Sequence, residues 1–502
     1  MTLDSTSLTT VDVRKGTYRD SVALMRVSRE VAAVDGVEAA LVAMATELNL
    51  ELLAGMGATV PPGTGPDDLV IAVRAVDAAS RDTALSTAEA QLAAMSTGGG
   101  GTSAEAPPRT VRTAAQHAAA DGHPATLALV SVPGRYAAAE AFDALEAGVD
   151  VMVFSDNVPL EHEVALKKAA DRLGRLVMGP DCGTAVIGGA GLGFANALRP
   201  GPVGIVAASG TGAQQVMCLL DAAGIGVSHC LGVGGRDLSA EVAGRSTLRA
   251  LRMLDADPAT ERIVLISKPP APKVAEAIQA EAAGLATPVH TALLGTEGPD
   301  LSEAAAEVIA ALGDSVPAWP HWFPEERPAP RAGALRGLFC GGTLADEATR
   351  IIERTLGPVA SNTPAGSGGA QVLSDSPQTG HLVIDFGDDT FTAGRPHPMI
   401  DPAAREERLA AELADPDTAV VLLDVVLGHG AHPDPAAGVA EQLRAARTAG
   451  STTPVVVTLC GTENDPQGLA AQAETLRRAG AEVFSSNAEA ARRAASLAGP
   501  AA

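Results

Sequence analysis

One pattern constrains the fold of this chain more than any other: an apolar, β-prone run stops at small residues and passes at once into a helix-compatible segment. Its clearest instance is Val203-Gly204-Ile205-Val206-Ala207-Ala208-Ser209-Gly210-Thr211-Gly212-Ala213-Gln214-Gln215. This reads as a strand, a tight turn and a helix N-terminus. The first N–H groups of a helix have no partner within it, and the aligned peptide dipoles favour negative charge, so a phosphate or carboxylate can dock there. Ser209-Gly210-Thr211-Gly212 is neither the P-loop pattern nor the dinucleotide fingerprint. On these residues alone, anion binding and a merely well-capped turn are both open.

The same grammar runs through most of the 502 residues. Strands are expected at 126–132, 149–154 and 176–178, with helices at 137–147 and 161–173 between them. Their turns are Pro133-Gly134-Arg135-Tyr136, Ser155-Asp156-Asn157-Val158-Pro159 and Gly179-Pro180-Asp181-Cys182-Gly183-Thr184. Strands alternating with helices predict α/β architecture with doubly wound parallel sheets, whose ligands sit at the carboxyl ends of the strands. The pattern restarts at Leu338-Phe339-Cys340-Gly341-Gly342-Thr343, and further strands at 382–386, 420–427 and 454–459 also end in glycines and polar residues. Composition shifts divide the chain into a small N-terminal α/β domain at 1–97, a Gly/Pro-rich linker at 98–109 and α/β units at 110–200, 201–316 and 332–502. A connector at 317–331 carries both tryptophans, Trp319 and Trp322, among prolines.

Hydrophobic residues make up 46% of the chain and aromatics only 2%, so the cores must be built from Ala, Val, Leu and Ile. A net charge of −24 repels polyanions, which argues against nucleic acid and anionic membrane as partners, while local N–H groups and arginines can still hold a small anion. Five cysteines without a C-x-x-C spacing imply reduced thiols, with no metal site and no cofactor expected. The first residues do not form a signal peptide and no apolar run nears the ~18 residues of a membrane span, so the chain reads as cytoplasmic.

Gly342 and Thr343 duplicate the first turn, so two helix N-termini could face one anion. Arg395, held between Gly394 and Pro396, and Arg236, after Gly234-Gly235, suit bidentate contact with a carboxylate; internal ion pairs are the alternative for both. Lys268 at a strand end is either a site cation or a surface residue. Asp156 and Asn157 read as a helix cap, with Asn157 a further site candidate. His397 lies beside Arg395. His429 is a conceivable phosphate acceptor or general base, but a solvated loop histidine fits its surroundings better, and Gly430 and Pro433 break any helical metal spacing with His432. Cys182, Cys340 and Cys460 read as packing residues. No general base stands out.

The run Val177 to Thr184, the anchor turn and Gly234-Gly235-Arg236-Asp237 resemble the α subunit of succinyl-CoA synthetase, and the C-terminal half resembles the carboxyl-terminal domain of its β subunit. Phe154-Ser155-Asp156-Asn157-Val158, Ser267-Lys268-Pro269-Pro270 and Gly394-Arg395-Pro396-His397-Pro398-Met399-Ile400-Asp401 are similar to the FdrA family across essentially the whole chain. That resemblance implies a Rossmann-like, CoA-binding-type domain at 110–200 followed by two flavodoxin-like, ligase-type domains. The chain departs from the synthetase in three places. No ATP-grasp domain is visible. Leu293-Leu294-Gly295-Thr296-Glu297-Gly298-Pro299 replaces the phosphohistidine loop, and Lys15-Gly16-Thr17-Tyr18 replaces the glycine loop that binds CoA.

The FdrA resemblance implies a carbamoyltransferase of the oxamate carbamoyltransferase type, in purine (ureide and allantoin) catabolism, working with companion subunits. Oxamate and carbamoyl phosphate would exchange with oxalurate and phosphate, or a related acceptor such as ureidomalonate would serve. Ser209, Gly210, Thr211, Gly212, Gly342 and Thr343 would then cradle phosphate, Arg395 and Arg236 would hold the substrate carboxylate, and Asn157, Lys268, His397 and His429 would be additional contacts. The alternatives are an ADP-forming acyl-CoA ligase subunit with a separate ATP-grasp partner, and a non-catalytic metabolite-binding scaffold.

Overall fold

The computed structural model describes residues 8–17, 19, 21–97, 108–293, 298–363, 367–368, 380–392 and 395–499. These form two compact units, one comprising residues 1–109 with 393–396 and the other the remainder. Most of the expected linker at 98–109 and part of the loop compared with the phosphohistidine segment fall outside the described residues.

The N-terminal unit is a three-stranded antiparallel sheet in the order Leu8–Arg14, Leu69–Ala75, Val37–Met44. The central strand Leu69–Ala75 is apolar and buried at almost every position, because both faces of the sheet are covered there. Leu24, Val27, Val31, Ala84 and Ala88, from helices Ser21–Ala32 and Ala78–Thr97, pack with Val42, Ile71 and Val73 of the strands. Val70 and Ala72, pointing the other way, pack with Leu53 of the short helix Glu47–Gly55, which sequence periodicity did not reveal. Asp68 pins the loop after the first strand by accepting the N–H groups of Gly16 and Gly65, both at 2.9 Å.

The larger unit holds three sheets. The first is parallel and three-stranded: Leu127–Val130, Asp150–Val153, Val177–Met178. The second runs Val289–Leu293, Arg262–Ser267, Pro200–Ala207, Val227–Gly232, and then the antiparallel pair Thr184–Ile187 and Ala190–Gly193. That hairpin lies before residue 200 in the chain, yet it pairs with Val227–Gly232, so this sheet crosses the boundary expected there. Its turn is Gly188-Gly189, with φ of 55° and 85°, the left-handed region that a tight two-residue hairpin requires.

The third sheet has eight strands, with Ala334–Phe339 between Thr418–Val426 and His381–Asp385, and Val455–Cys460 beside Thr418–Val426. Because its central strands are covered on both sides, they read as continuous apolar runs; every residue of Thr418–Val426 is buried. One cluster of Ala, Val, Ile and Leu side chains runs from Val203 and Val216 through Leu335 and Leu344 to Ala491, so the second and third sheets share a core. Helix Gly210–Ala222 lies within it and is buried from Gly212 to Asp221.

Candidate functional site

The shared core brings two strand–turn–helix junctions face to face. Ser209 caps helix Gly210–Ala222 by accepting the Gly212 N–H at 3.0 Å, and its hydroxyl lies 2.5 Å from that of Thr343, in the first turn of helix Gly342–Leu356. Glycine is required on both sides. A Cβ on Gly212 would stand 2.6 Å from Ser209 Oγ and 3.0 Å from Thr343 Cγ2, and one on Gly341 would stand 2.8 Å from Thr211 Cγ2. All six expected phosphate-cradle residues therefore lie in two adjoining turns.

The second turn already holds an internal anion. Asp424 accepts the N–H groups of Cys340 and Gly341 at 2.8 and 2.9 Å and pairs with Arg405 Nη1 at 2.9 Å, and both side chains are buried. Asp385 ends the neighbouring strand, with Oδ1 accepting the Gly387 N–H at 2.8 Å and Oδ2 2.5 Å from where a Gly342 Cβ would stand. Desolvation pushes the Asp385 carboxyl up to about 7; Asp424 and Asp388 add to the rise, while the Gly387 N–H and the Lys268 charge oppose it. Lys268 is half-buried just beyond strand Arg262–Ser267.

His397 faces the same spot, its Nε2 2.9 Å from where a Gly387 Cβ would be. Its Nδ1 accepts the Met399 N–H at 3.2 Å, so the ring proton of the neutral form sits on Nε2. Burial, followed by the charge of Arg405, lowers its pKa to about 4. The Phe194 ring stands 5.3 Å from His397 and 5.8 Å from Phe154, and Thr184 Oγ1, which donates to the Phe194 carbonyl at 2.8 Å, lies 3.3 Å from where a Gly210 Cβ would be. A wall of Thr184 and Phe194 thus links the anchor turn to His397.

The remaining expected residues lie elsewhere or are already engaged. Arg236 pairs with Glu163 at 2.9 Å and donates to the Val158 carbonyl at 2.8 Å, beside a buried Glu163–Lys167–Asp237 network. Asn157 is exposed with φ of 51°. The capping expected of Asp156 and Asn157 is not formed, because the N-cap of helix Leu160–Leu173 is Pro159, without a side-chain cap bond. Arg395 is exposed and groups with the N-terminal unit, outside the unit that carries the turns. His429 is exposed, its backbone bridged to Ala195. All five thiols are buried, and burial pushes Cys182 up to about 12. Asp385, Asp424, Thr184 and Phe194 were missed by sequence reasoning. For the two aspartates a signal existed: each is the lone charge within an otherwise apolar strand, where burial without a purpose is unfavourable.

Residues 338–497 match the family described as CoA-ligase, and residues 5–108 match the family described as AllF, heavy metal-associated domain. The uncharacterized protein YahF of Escherichia coli (strain K12) is 39% identical over 501 residues, covering 95% of this chain and 96% of YahF. The chain belongs to the YahF, FdrA-like family. ADP-forming sulfoacetate-CoA ligase subunit SauD of Bilophila wadsworthia is 29% identical over 32% of this chain and 57% of SauD. ADP-forming succinate–CoA ligase subunit alpha of Methanothermobacter thermautotrophicus is 29% identical over 28% of this chain and 47% of that subunit. The chain therefore spans about half the length of these two ligase subunits.

These matches overturn the carbamoyltransferase expectation. The family matched at 338–497 is that of CoA ligases, and the SauD and alpha-subunit relatives are CoA-ligase subunits, so transferase activity, carbamoyl phosphate as partner and purine catabolism give way to the ligase alternative. The physical reason is that a helix-terminus cradle recognises a phosphoryl group and carries no information about the acyl or carbamoyl group attached to it. A heavy metal does not fit the N-terminal segment. The first histidine is His117 and the first cysteine Cys182, so residues 5–108 contain neither imidazole nor thiolate, and the thioethers of Met25, Met44, Met56 and Met95 are the soft donors left there. Among the described residues there is no cluster of three His, Cys, Asp or Glu suited to a metal, and no helix is long and apolar enough to cross a membrane.

Proposed function

We propose that the chain is a subunit of an ADP-forming acyl-CoA ligase type, working with a companion chain that supplies the ATP-grasp part. The observation that carries this reading is the meeting of the two helix N-termini at Ser209 and Thr343, 2.5 Å apart, the second of them inside the segment 338–497 that matches the CoA-ligase family. N–H groups, hydroxyls and the nearby Lys268 suit the phosphoryl group of an acyl phosphate, whose carbonyl a CoA thiol attacks to give a thioester and phosphate. The three turns at the carboxyl ends of Leu127–Val130, Asp150–Val153 and Val177–Met178 are placed to hold the CoA side, by the usual rule for parallel sheets. With Leu293 to Pro299 standing in place of a phosphohistidine loop, the γ-phosphoryl group of ATP is read as passing directly to the carboxylate, giving the acyl phosphate and ADP, and phosphate leaves when the CoA thiol attacks.

The test is purified chain, alone and with an ATP-grasp companion, incubated with ATP, CoA and a panel of short carboxylates including succinate, malate and sulfoacetate. ADP release that requires both CoA and a carboxylate, with matching thioester, is the expected result. No CoA-dependent ADP release in any combination overturns the proposal.

A further inference from the structure

Thioester formation from a thiol releases a proton, and among the described residues few groups around the two turns can take one. Asp424 is fully engaged by the N–H groups of Cys340 and Gly341 and by Arg405. His397 uses the lone pair of Nδ1 on the Met399 N–H, which leaves Nε2–H as a donor. Lys268 is a cation, and the Ser209 and Thr343 hydroxyls are weak bases occupied with each other. Asp388 Oδ1 accepts the N–H and hydroxyl of Thr390.

Asp385 differs from all of these in pairing a lightly engaged carboxyl with a place directly over the second turn. Oδ1 holds one backbone bond, to Gly387, while Oδ2 lies over Gly342 at the start of the second helix, where only a glycine leaves it room. We propose that Asp385 is the proton acceptor for the attacking thiol, an inference that rests on the acyl-CoA ligase reading. As the sulfur–carbon bond forms at the acyl carbon of the acyl phosphate, the thiol proton passes to the Asp385 carboxylate. The carbon–oxygen bond to phosphate breaks, and its electron pair leaves with the phosphate. In reverse, the protonated carboxyl returns its proton to the departing thiolate.

The groups that face Asp385 fit this task. Asp424 and Asp388 favour the protonated form, Lys268 and the Gly387 N–H favour the ionised one, and their balance with desolvation places the carboxyl at about 7, matched to work near neutral pH. His397, held neutral, presents Nε2–H at this place without adding a charge.

The experiment follows thioester formation by the complete enzyme, chain plus companion, from pH 5.5 to 8.5, together with phosphate affinity. In the wild type, kcat is expected to rise with pH through about 7. Asp385→Asn should lower kcat by about 100-fold or more and abolish that rise, with little change in phosphate affinity. Lys268→Met leaves the Asp385–Gly387 hydrogen bond in place and should move the rise to higher pH, because a charge that stabilises the carboxylate is gone. This second variant keeps the inference open to refutation if Asp385→Asn does not fold. An active wild type whose pH profile survives in Asp385→Asn, or is unmoved in Lys268→Met, overturns the role of Asp385 and leaves the ligase reading standing. A wild type without CoA-dependent turnover overturns both.

Discussion

Ser209 Oγ and Thr343 Oγ1 lie within hydrogen-bond distance, 2.5 Å apart, although 134 residues separate them in the chain. Each stands at the start of a helix whose middle turns are buried in the shared core, so each hydroxyl is held by its helix. If the two turns clamp one anion, removing a contact from either side must weaken it. Thr343→Val keeps the side-chain shape and deletes the hydroxyl, and Thr211→Ala trims the opposite turn. A hydrogen bond to a charged ligand is worth about 1.5 to 3 kcal/mol, so each variant should weaken phosphate binding, read by calorimetry, by roughly 10- to 100-fold. Unchanged affinity in both removes the clamp.

The same junction predicts where stability is concentrated. Asp424 and Arg405 are both buried and 2.9 Å apart, and Asp424 also satisfies two N–H groups ahead of helix Gly342–Leu356. Asp424→Ala leaves a buried guanidinium unpaired and should cost about 3 to 5 kcal/mol, seen as a lowered urea midpoint for the larger unit. Replacing both partners by apolar residues, Asp424→Leu with Arg405→Met, should cost less than the single change. A double variant less stable than Asp424→Ala would show that the backbone bonds to Asp424 outweigh the charge pair.

These two relationships mark what the sequence could and could not disclose. Period and turn chemistry exposed the strand–turn–helix units, including the anchor strand and its helix, because Val203 to Ala207 is apolar without interruption and Ser209 is a cap residue. The resemblance disclosed the family. Contacts between units lay beyond it: nothing local in the segment near Ser209 indicates Thr343 as its neighbour. The role of Asp424 as an internal anion also depends on Arg405 from a different element. Arg236 shows the converse, since its sequence context fits substrate recognition equally well, and only the folded chain places Glu163 against it.

The cysteines give a prediction of inertness. Cys218 and Cys460 stand with sulfurs 3.9 Å apart, one on the anchor helix and one at the end of a strand of the third sheet, and both are buried. Desolvation pushes the Cys218, Cys230 and Cys340 thiols well above their ordinary range, which withholds the reactive thiolate. Native protein at pH 8 should therefore resist a thiol-specific aromatic disulfide for hours, and denatured protein should react at all five positions. Rapid labelling of any of these thiols in native protein would contradict the packing described.

A buried glutamate should make stability depend on pH near neutrality. Glu347 is 3% exposed; it accepts the Leu301 N–H at 2.7 Å and an Asn487 N–H at 2.7 Å, tying helices Leu301–Ala311 and Asn487–Leu497 to Gly342–Leu356. Desolvation, with a smaller contribution from Asp300, raises its carboxyl from 4.5 to about 7 against the pull of those hydrogen bonds and of Arg492. Between these values the folded state holds a proton that the unfolded chain has released, so stability falls as pH rises through this window. The loss is complete only above about 7 and amounts to about 3 kcal/mol. Glu347→Gln keeps a neutral acceptor and cannot ionise. Its unfolding midpoint should match the wild type near pH 5 and exceed it near pH 8, with a flatter profile between. Parallel profiles for the two proteins would show that Glu347 ionises in the folded state as readily as in the unfolded one.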